Sequence, residues 1–316
     1  MKRRDFVRST SVLATWAVLP GTVTAAAKPA WAAKIAFTPG SIGVTVNSQQ
    51  EMNALAHRHG FEAVEPRTEE LASMTPGQLA ETRADLATKG LVWAAAGLPV
   101  DFRKDDATFR AGLAQLPRLA AGLQRAGVRR VGTWLMPSSD DLTYRANFRQ
   151  HAARLGEVAR VLGDHDLRLG LEYVGTQLLL VGRKYPFVHT LAETRELIAE
   201  IGTGNVGVVL DSWHWLMAGD TVADLLTLRN DDVVSVDLND APKGIPKAQQ
   251  KDGERELPMA TGVIDLAAFL GALVTLNYDG PMRAEPFNKV LNAMDNEPAC
   301  AAVIASMKQA VALVRA

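Results

Sequence analysis

The sequence predicts a single-domain α/β protein, a (β/α)8 TIM barrel, on three observations. From Lys34 onward, short β-rich runs alternate with longer helix-like segments about eight times, and such alternation implies a parallel sheet. About 285 residues carry the eight units, the usual size of such a barrel, and no linker or shift of composition marks off a second domain. An open doubly wound sheet is the competing architecture, but the first strand is not followed by the Gly-rich turn of a dinucleotide-binding version. The barrel domain is therefore placed at residues 34–316.

Taken in order, the expected strands are Ile35–Phe37, Ala63–Glu65, Val92–Ala95, Arg130–Trp134, Arg168–Tyr173, Val206–Asp211, Val233–Leu238 and Pro281–Glu285. Helical patterns lie between them, among them Thr143–Leu162 and Leu191–Ile201. The second is introduced by Thr190 with Glu193 three residues on, the spacing of a capping box. Two connections, Val174–His189 after the fifth strand and Ala241–Val263 after the seventh, far exceed the usual 2 to 6 residues and are expected to be lids.

Composition excludes several classes. With 47% hydrophobic and 22% charged residues the chain can bury a sizeable core, which disordered and fibrous chains cannot. Lys plus Arg total 34 against 35 acids, so no broad positive field is available to hold nucleic acid. One cysteine, Cys300, allows neither an intramolecular disulfide nor a cysteine-based zinc site.

Residues Met1–Ala27 read as an export signal. Lys2, Arg3, Arg4 and Arg8 form a basic start, Val12–Leu19 an apolar run, and Ala25–Ala27 a small-residue cleavage site. Arg3-Arg4 followed by Asp5-Phe6-Val7 resembles the twin-arginine motif, which implies the twin-arginine export machinery as a partner and a periplasmic destination. Eight apolar residues ended by Pro20-Gly21 are too few to span a bilayer, which needs about 20. No membrane span is expected in the mature chain, and cleavage would remove those four cations and Asp5, taking the formal net charge from −1 to −4, so a substrate is not expected to be drawn in by net charge. Folded export lets a protein load a selected metal in the cytoplasm.

Side chains two apart in a strand share a face. Arg168, Gly170 and Glu172 share one in the fifth strand, Gly207, Val209 and Asp211 in the sixth, Ser235, Asp237 and Asn239 in the seventh, and Arg283 and Glu285 in the eighth. Four successive strands thus end in an acid on the barrel-facing side, at the end where active sites of this architecture sit. Glu172, Asp211, Asp237 and Glu285 cannot all stay ionised together without a cation. One divalent metal is the economical solution, and an all-oxygen ligand set favours Mn2+ or Mg2+ over Zn2+. The alternative is that each acid caps a strand end with its own Lys or Arg.

Gly170-Leu-Glu-Tyr-Val174, Leu210-Asp-Ser-Trp-His214, Asp237-Leu-Asn-Asp-Ala-Pro242, Arg255-Glu-Leu-Pro258 with Gly262-Val-Ile-Asp265, and Tyr278-Asp-Gly280 leading to Ala284-Glu-Pro-Phe287 together resemble the xylose isomerase-like TIM barrels, specifically the sugar phosphate isomerase/epimerase group. The resemblance implies Glu172, Asp211 and Glu285 as metal ligands, Glu172 and Glu285 as the acid/base pair, and His214 and Arg255 as contacts to substrate oxygens. The sequence departs from that group at Asp237, where a metal-binding histidine is usual, and at Met259, where a glycine is common. Histidine-rich zinc clusters of related barrels are not expected, since His57, His59, His151 and His165 fall on or beside helices, leaving His189 and His214 near the site.

Three functions remain open from the sequence. The leading one is a metal-dependent sugar isomerase or epimerase working through an enediolate. A lyase eliminating a leaving group from keto-glycosides through the same intermediate is the closest rival, and a non-catalytic exported sugar-binding protein is the third. Trp134 and Phe102 are expected to wall a sugar ring, Arg183 and Lys184 to face hydroxyls or solvent, and Glu65 with Arg67 to form a local ion pair. Nothing in the sequence decides for or against a homo-oligomer.

Overall fold

The computed structural model describes residues 31–314, and the expected export signal lies outside the described residues. Nine strands form one parallel sheet: β1 Lys34–Phe37, β2 Ala63–Val64, β3 Val92–Trp93, β4 Ala96–Gly97, β5 Arg130–Trp134, β6 Arg168–Glu172, β7 Val206–Asp211, β8 Val233–Leu238 and β9 Pro281–Ala284. Their order is β3-β2-β1-β9-β8-β7-β6-β5-β4. The two edges of this sheet are two residues apart in the chain, because β3 and β4 are halves of one bent stave joined by Ala94 and Ala95. Eight staves were expected, and eight are present. The third is broken because it serves two neighbours, pairing with β2 through Val92–Trp93 and with β5 through Ala96–Gly97.

Helices cover the outside of the sheet and bury its outward-facing aliphatic side chains. The expected helix over 143–162 spans Tyr144–Gly163, and the one over Leu191–Ile201 has those bounds. Its cap differs in one bond from a full capping box: Thr190 Oγ1 accepts from the Glu193 N–H, but Glu193 reaches back to the N–H of His189. Among the described residues, no helix is long and apolar enough to cross a membrane.

Register decides the height of each inward side chain. Asp211 on β7 lies opposite Asp237 on β8, which lies opposite Arg283 on β9. Glu172 lies opposite Val209, one pleat below Asp211, and opposite Trp134 on the other side. The strands approach closely at this point, so Gly170 has no alternative: a Cβ there would sit 2.8 Å from Val209 and Val234 side-chain atoms.

Candidate active site

Glu172, Asp211, Asp237 and Glu285 are all buried, and each offers an oxygen within 4.8 Å of the others. The sequence brought these four acids together correctly, but it did not anticipate what lies among them. Arg283 forms a fork on Asp237, with Nε donating to Oδ1 and Nη2 to Oδ2, both at 2.7 Å, and Nη2 also reaches Glu285 Oε1 at 2.7 Å. Arg255, from the second lid, donates through Nη1 to Asp211 Oδ2 at 2.8 Å and to Glu285 Oε2 at 3.2 Å. Its Nη2 donates to Asp252 Oδ1 at 2.8 Å and lies 3.1 Å from His214 Nε2. Arg255, expected to face substrate oxygens, lines the mouth, and the fold sinks it between Asp211 and Glu285, with its guanidinium against the rings of Trp213 and Phe287. Among the described residues, three of the four acids therefore have a guanidinium partner, and Glu172 does not. Its Oε1 is buried without a hydrogen bond.

These environments push the acids apart in proton affinity. Burial, reinforced by Glu285, Asp237 and Asp211, drives the Glu172 pKa well above the usual carboxylate range. Burial also raises Glu285, to about 8 despite Arg283 and Arg255. Asp237 rises on burial, with Arg283 opposing. Asp211 moves the other way: its burial is outweighed by Arg255, His214 and the N–H groups of His214 and Trp213. His214 is held neutral, its pKa lowered to about 4 by burial, with Arg255 adding to that and Asp211 opposing.

The donor set fits a divalent cation in charge and in kind. Four carboxylates against two guanidiniums leave two negative charges, which one such ion or two protons would neutralise. Oxygen donors suit a hard ion, and neutral His214 adjoins Glu172 and Asp211 as a further donor. The four acids are not equally free. Asp211 accepts N–H bonds from Trp213, His214, Asn239 and Arg255, which fills its four lone-pair sites, so it would ligate only once Arg255 turned aside. Asp237 accepts one bond on each oxygen from Arg283 and retains a lone pair on both.

Around the acids the mouth divides into two chambers. An inner one of about 210 Å³ lies against Ala36, Ala94, Ala95, Ala96 and Gly132. An outer one of about 340 Å³ lies under the lids, against Met136, Val174, Leu179 and Phe287. Trp134, Glu172 and Glu285 line both. Trp134, 40% exposed, carries the Arg103 guanidinium 4.2 Å over its ring. The lids close on each other where Thr176 Oγ1 meets Asp252, and the second is anchored by Asp240, whose carboxylate accepts the N–H groups of Thr261, Gly262, Val263 and Ile264.

Other expectations are corrected. Phe102 is packed in the core rather than walling the site, while Arg183 and Lys184 line neither chamber and are exposed, the solvent-facing alternative of their expectation. His189 is turned to the Phe187 carbonyl and Glu193 at the head of helix Leu191–Ile201. Arg67 pairs with Glu70, not Glu65, and Glu65 instead faces the inner chamber with a pKa raised by burial. Met259 has φ +69°, the left-handed conformation that makes glycine common there. Arg283, Asp252, Asn239 and Glu65 are the site residues the sequence reading missed. For Arg283 a signal existed: it shares a face with Glu285 on the strand next to Asp237.

Comparison with known proteins agrees with this fold. The family described as xylose isomerase-like TIM barrel matches residues 54–310. A solved xylose isomerase domain protein from Alicyclobacillus acidocaldarius is similar over 90% of this chain and 100% of its own, with 31% identity and a TM-score of 0.78. The IOLI protein, solved with a zinc atom, shares the fold over 88% of this chain and 98% of its own, at 20% identity and TM-score 0.73. Among curated proteins, inosose isomerase from Bacillus velezensis is 22% identical across 80% of this chain and 88% of its own length. A 3-dehydroshikimate dehydratase from Pseudomonas putida is 28% identical across 41% of this chain, and the match spans only 20% of that protein.

Proposed function

As the chain belongs to the xylose isomerase-like TIM barrel family, we propose that it is a divalent-metal-dependent enzyme that moves a proton at the carbon beside a sugar carbonyl, giving isomerisation or epimerisation. The similar proteins include an isomerase and a dehydratase. The observation that carries the reading is the placement of Glu172 and Glu285, two buried acids of raised proton affinity that line both chambers.

Glu172, Asp237, Glu285 and, after release by Arg255, Asp211 are the residues that would hold the metal. When bound, a divalent cation supplies Lewis-acid stabilisation of the charge that develops on a carbonyl oxygen as the neighbouring proton leaves. Mn2+ or Mg2+ suits the oxygen donors better than Zn2+, although the IOLI protein carries zinc. Glu172 has no guanidinium to hold it in the ionised form, so it can take and return a proton as substrate enters. Glu285 is fixed by one guanidinium on each oxygen, which orients it for the second transfer. Trp134 presents its ring to the sugar, and His214 is held in place by the Gly175 N–H at Nδ1.

Elimination from a keto-glycoside is the second reading, favoured by one observation: the apolar outer chamber adjoins the same two glutamates and has room for a leaving group. Incubating the Mn2+-loaded protein with a panel of keto-sugars and keto-glycosides in deuterated water separates the readings. Isomerisation or epimerisation gives a rearranged sugar carrying solvent deuterium, elimination releases a fragment, and a binding protein does neither. Absence of deuterium from every recovered sugar, with no fragment released, defeats the proposal.

A further inference from the structure

The two chambers differ in how well their polar groups are satisfied. In the inner chamber the Thr38 and Ser235 hydroxyls and the Glu65 carboxylate line the wall, and among the described residues none of them has a side-chain hydrogen bond. Thr38 and Ser235 are each more than nine-tenths buried, so these are donors and acceptors removed from bulk water and left without protein partners. Such groups call for a ligand rich in hydroxyls. The outer chamber is the opposite. Besides Glu172 and Glu285, which it shares with the inner chamber, its polar members are Asp252 and Arg255, bonded to each other, and His214, whose Nε2 lies 3.1 Å from Arg255 Nη2; Trp134, Met136, Val174, Leu179 and Phe287 supply the rest of its wall. A ligand part placed there, away from Glu172 and Glu285, meets mostly apolar surface.

We infer that the site takes a two-part ligand: a polyhydroxylated sugar ring in the inner chamber, joined to an apolar, aromatic group in the outer one. Trp134, Glu172 and Glu285 line both chambers, so the junction of the two parts lies beside the two glutamates. At about 210 Å³ the inner chamber is below the range of ordinary ligand pockets and suits one ring, and the outer one, about 340 Å³, is left over by any free monosaccharide. The inference rests on reading this mouth as a sugar site, but it concerns what is bound and not what is done to it.

The test is calorimetric titration of the Mn2+-loaded protein with matched phenyl and methyl glucosides and galactosides. Burial of a phenyl ring predicts that the phenyl compound binds roughly ten- to a hundredfold more tightly than its methyl partner. Leu179→Asp, a change on the half-buried lid, should abolish that gain and leave methyl glycoside affinity unchanged, while Ala95→Leu should weaken both. Equal affinity of phenyl and methyl partners, a phenyl gain that survives Leu179→Asp, or no binding by any glycoside overturns the inference. A free sugar that acquires deuterium without any phenyl preference would sink this inference alone, whereas phenyl-dependent binding without proton exchange would sink the proposed function alone.

Discussion

The barrel mouth is built of different material on its two sides. From β6 to β9 the strands run five, six, six and four residues and carry large charged groups inward, locked by hydrogen bonds near 2.7 Å. From β1 to β4 the strands are short and the inward side chains small, with Ala36, Ala94, Ala95 and Ala96 along the inner chamber. One side spends its volume on ion pairs and the other leaves it open. Charge concentrated on one wall of a cavity with a low-dielectric wall opposite is felt more strongly than the same charge in water, which is why the acids there titrate so far from their usual range. The lesson is that the acid cluster and the space beside it are parts of one arrangement.

The largest effect expected from breaking this division is chemical. Glu172→Gln keeps the shape of the charged side and removes its one acid without a guanidinium partner, so proton exchange into substrate should fall by roughly 10² to 10⁴, with the circular dichroism spectrum unchanged. An undiminished rate would remove Glu172 from the acid/base role.

Arg283→Met tests the energetics of the same side. It strands Asp237 in a buried position without its fork, and breaking such a pair costs about 3 to 5 kcal/mol, read as a lower urea midpoint. Adding Asp237→Asn should restore most of the loss, because the buried charge goes with it. A double variant no more stable than the single one would show that Arg283 acts through packing.

The outer layer behind β5 supplies a pH test free of the acid cluster. His151 is buried against Phe102 and Phe187, its Nδ1–H bonded to the Asn147 carbonyl and its Nε2 without a partner. Burial lowers its pKa from 6.5 to about 4. The unfolded chain therefore takes up a proton that the folded one refuses. Its contribution is complete above about pH 6.5 and is lost as pH falls toward 4, by about 3 kcal/mol. Denaturant melts between pH 7 and pH 4.5 should be less steeply pH-dependent in His151→Gln.

The smallest effects come from two glycines, one on the charged side and one on β5 beside the inner chamber. A Cβ at Gly170 would press on Val209 and Val234 at 2.8 Å, so Gly170→Ala should cost about 1 to 3 kcal/mol. At Gly132, on the rim of the inner chamber, the nearest atom is 3.5 Å away, and Gly132→Ala should change stability by less than about 0.5 kcal/mol. Thermal melts compare them directly, and equal losses would contradict the asymmetry.

Much of this was legible beforehand. The eight staves follow from alternation of apolar runs with amphipathic helices, and the inward placement of Glu172, Asp211, Asp237 and Glu285 follows from period-two parity. Parity also put Arg283 and Glu285 on one face, but it could not supply the partner. That needed the register between β8 and β9, which sets Asp237 beside Arg283 and is a property of the paired strands. Glu65 was misassigned for a related reason: Arg67 is nearer in sequence, but it turns to Glu70 at the start of the next helix and leaves Glu65 to the cavity.

The sequence by itself determined the barrel and which strand ends carry acids, because both depend on local periodicity that each segment states independently. The tertiary structure alone decided which acids are neutralised from within, that Arg255 folds inward from a lid, and that the mouth divides into an inner chamber edged by unbonded hydroxyls and an outer one under the lids. These depend on distances between residues far apart in sequence, such as Glu172 and Glu285 or Thr176 and Asp252, and such distances exist only once the chain has closed on itself.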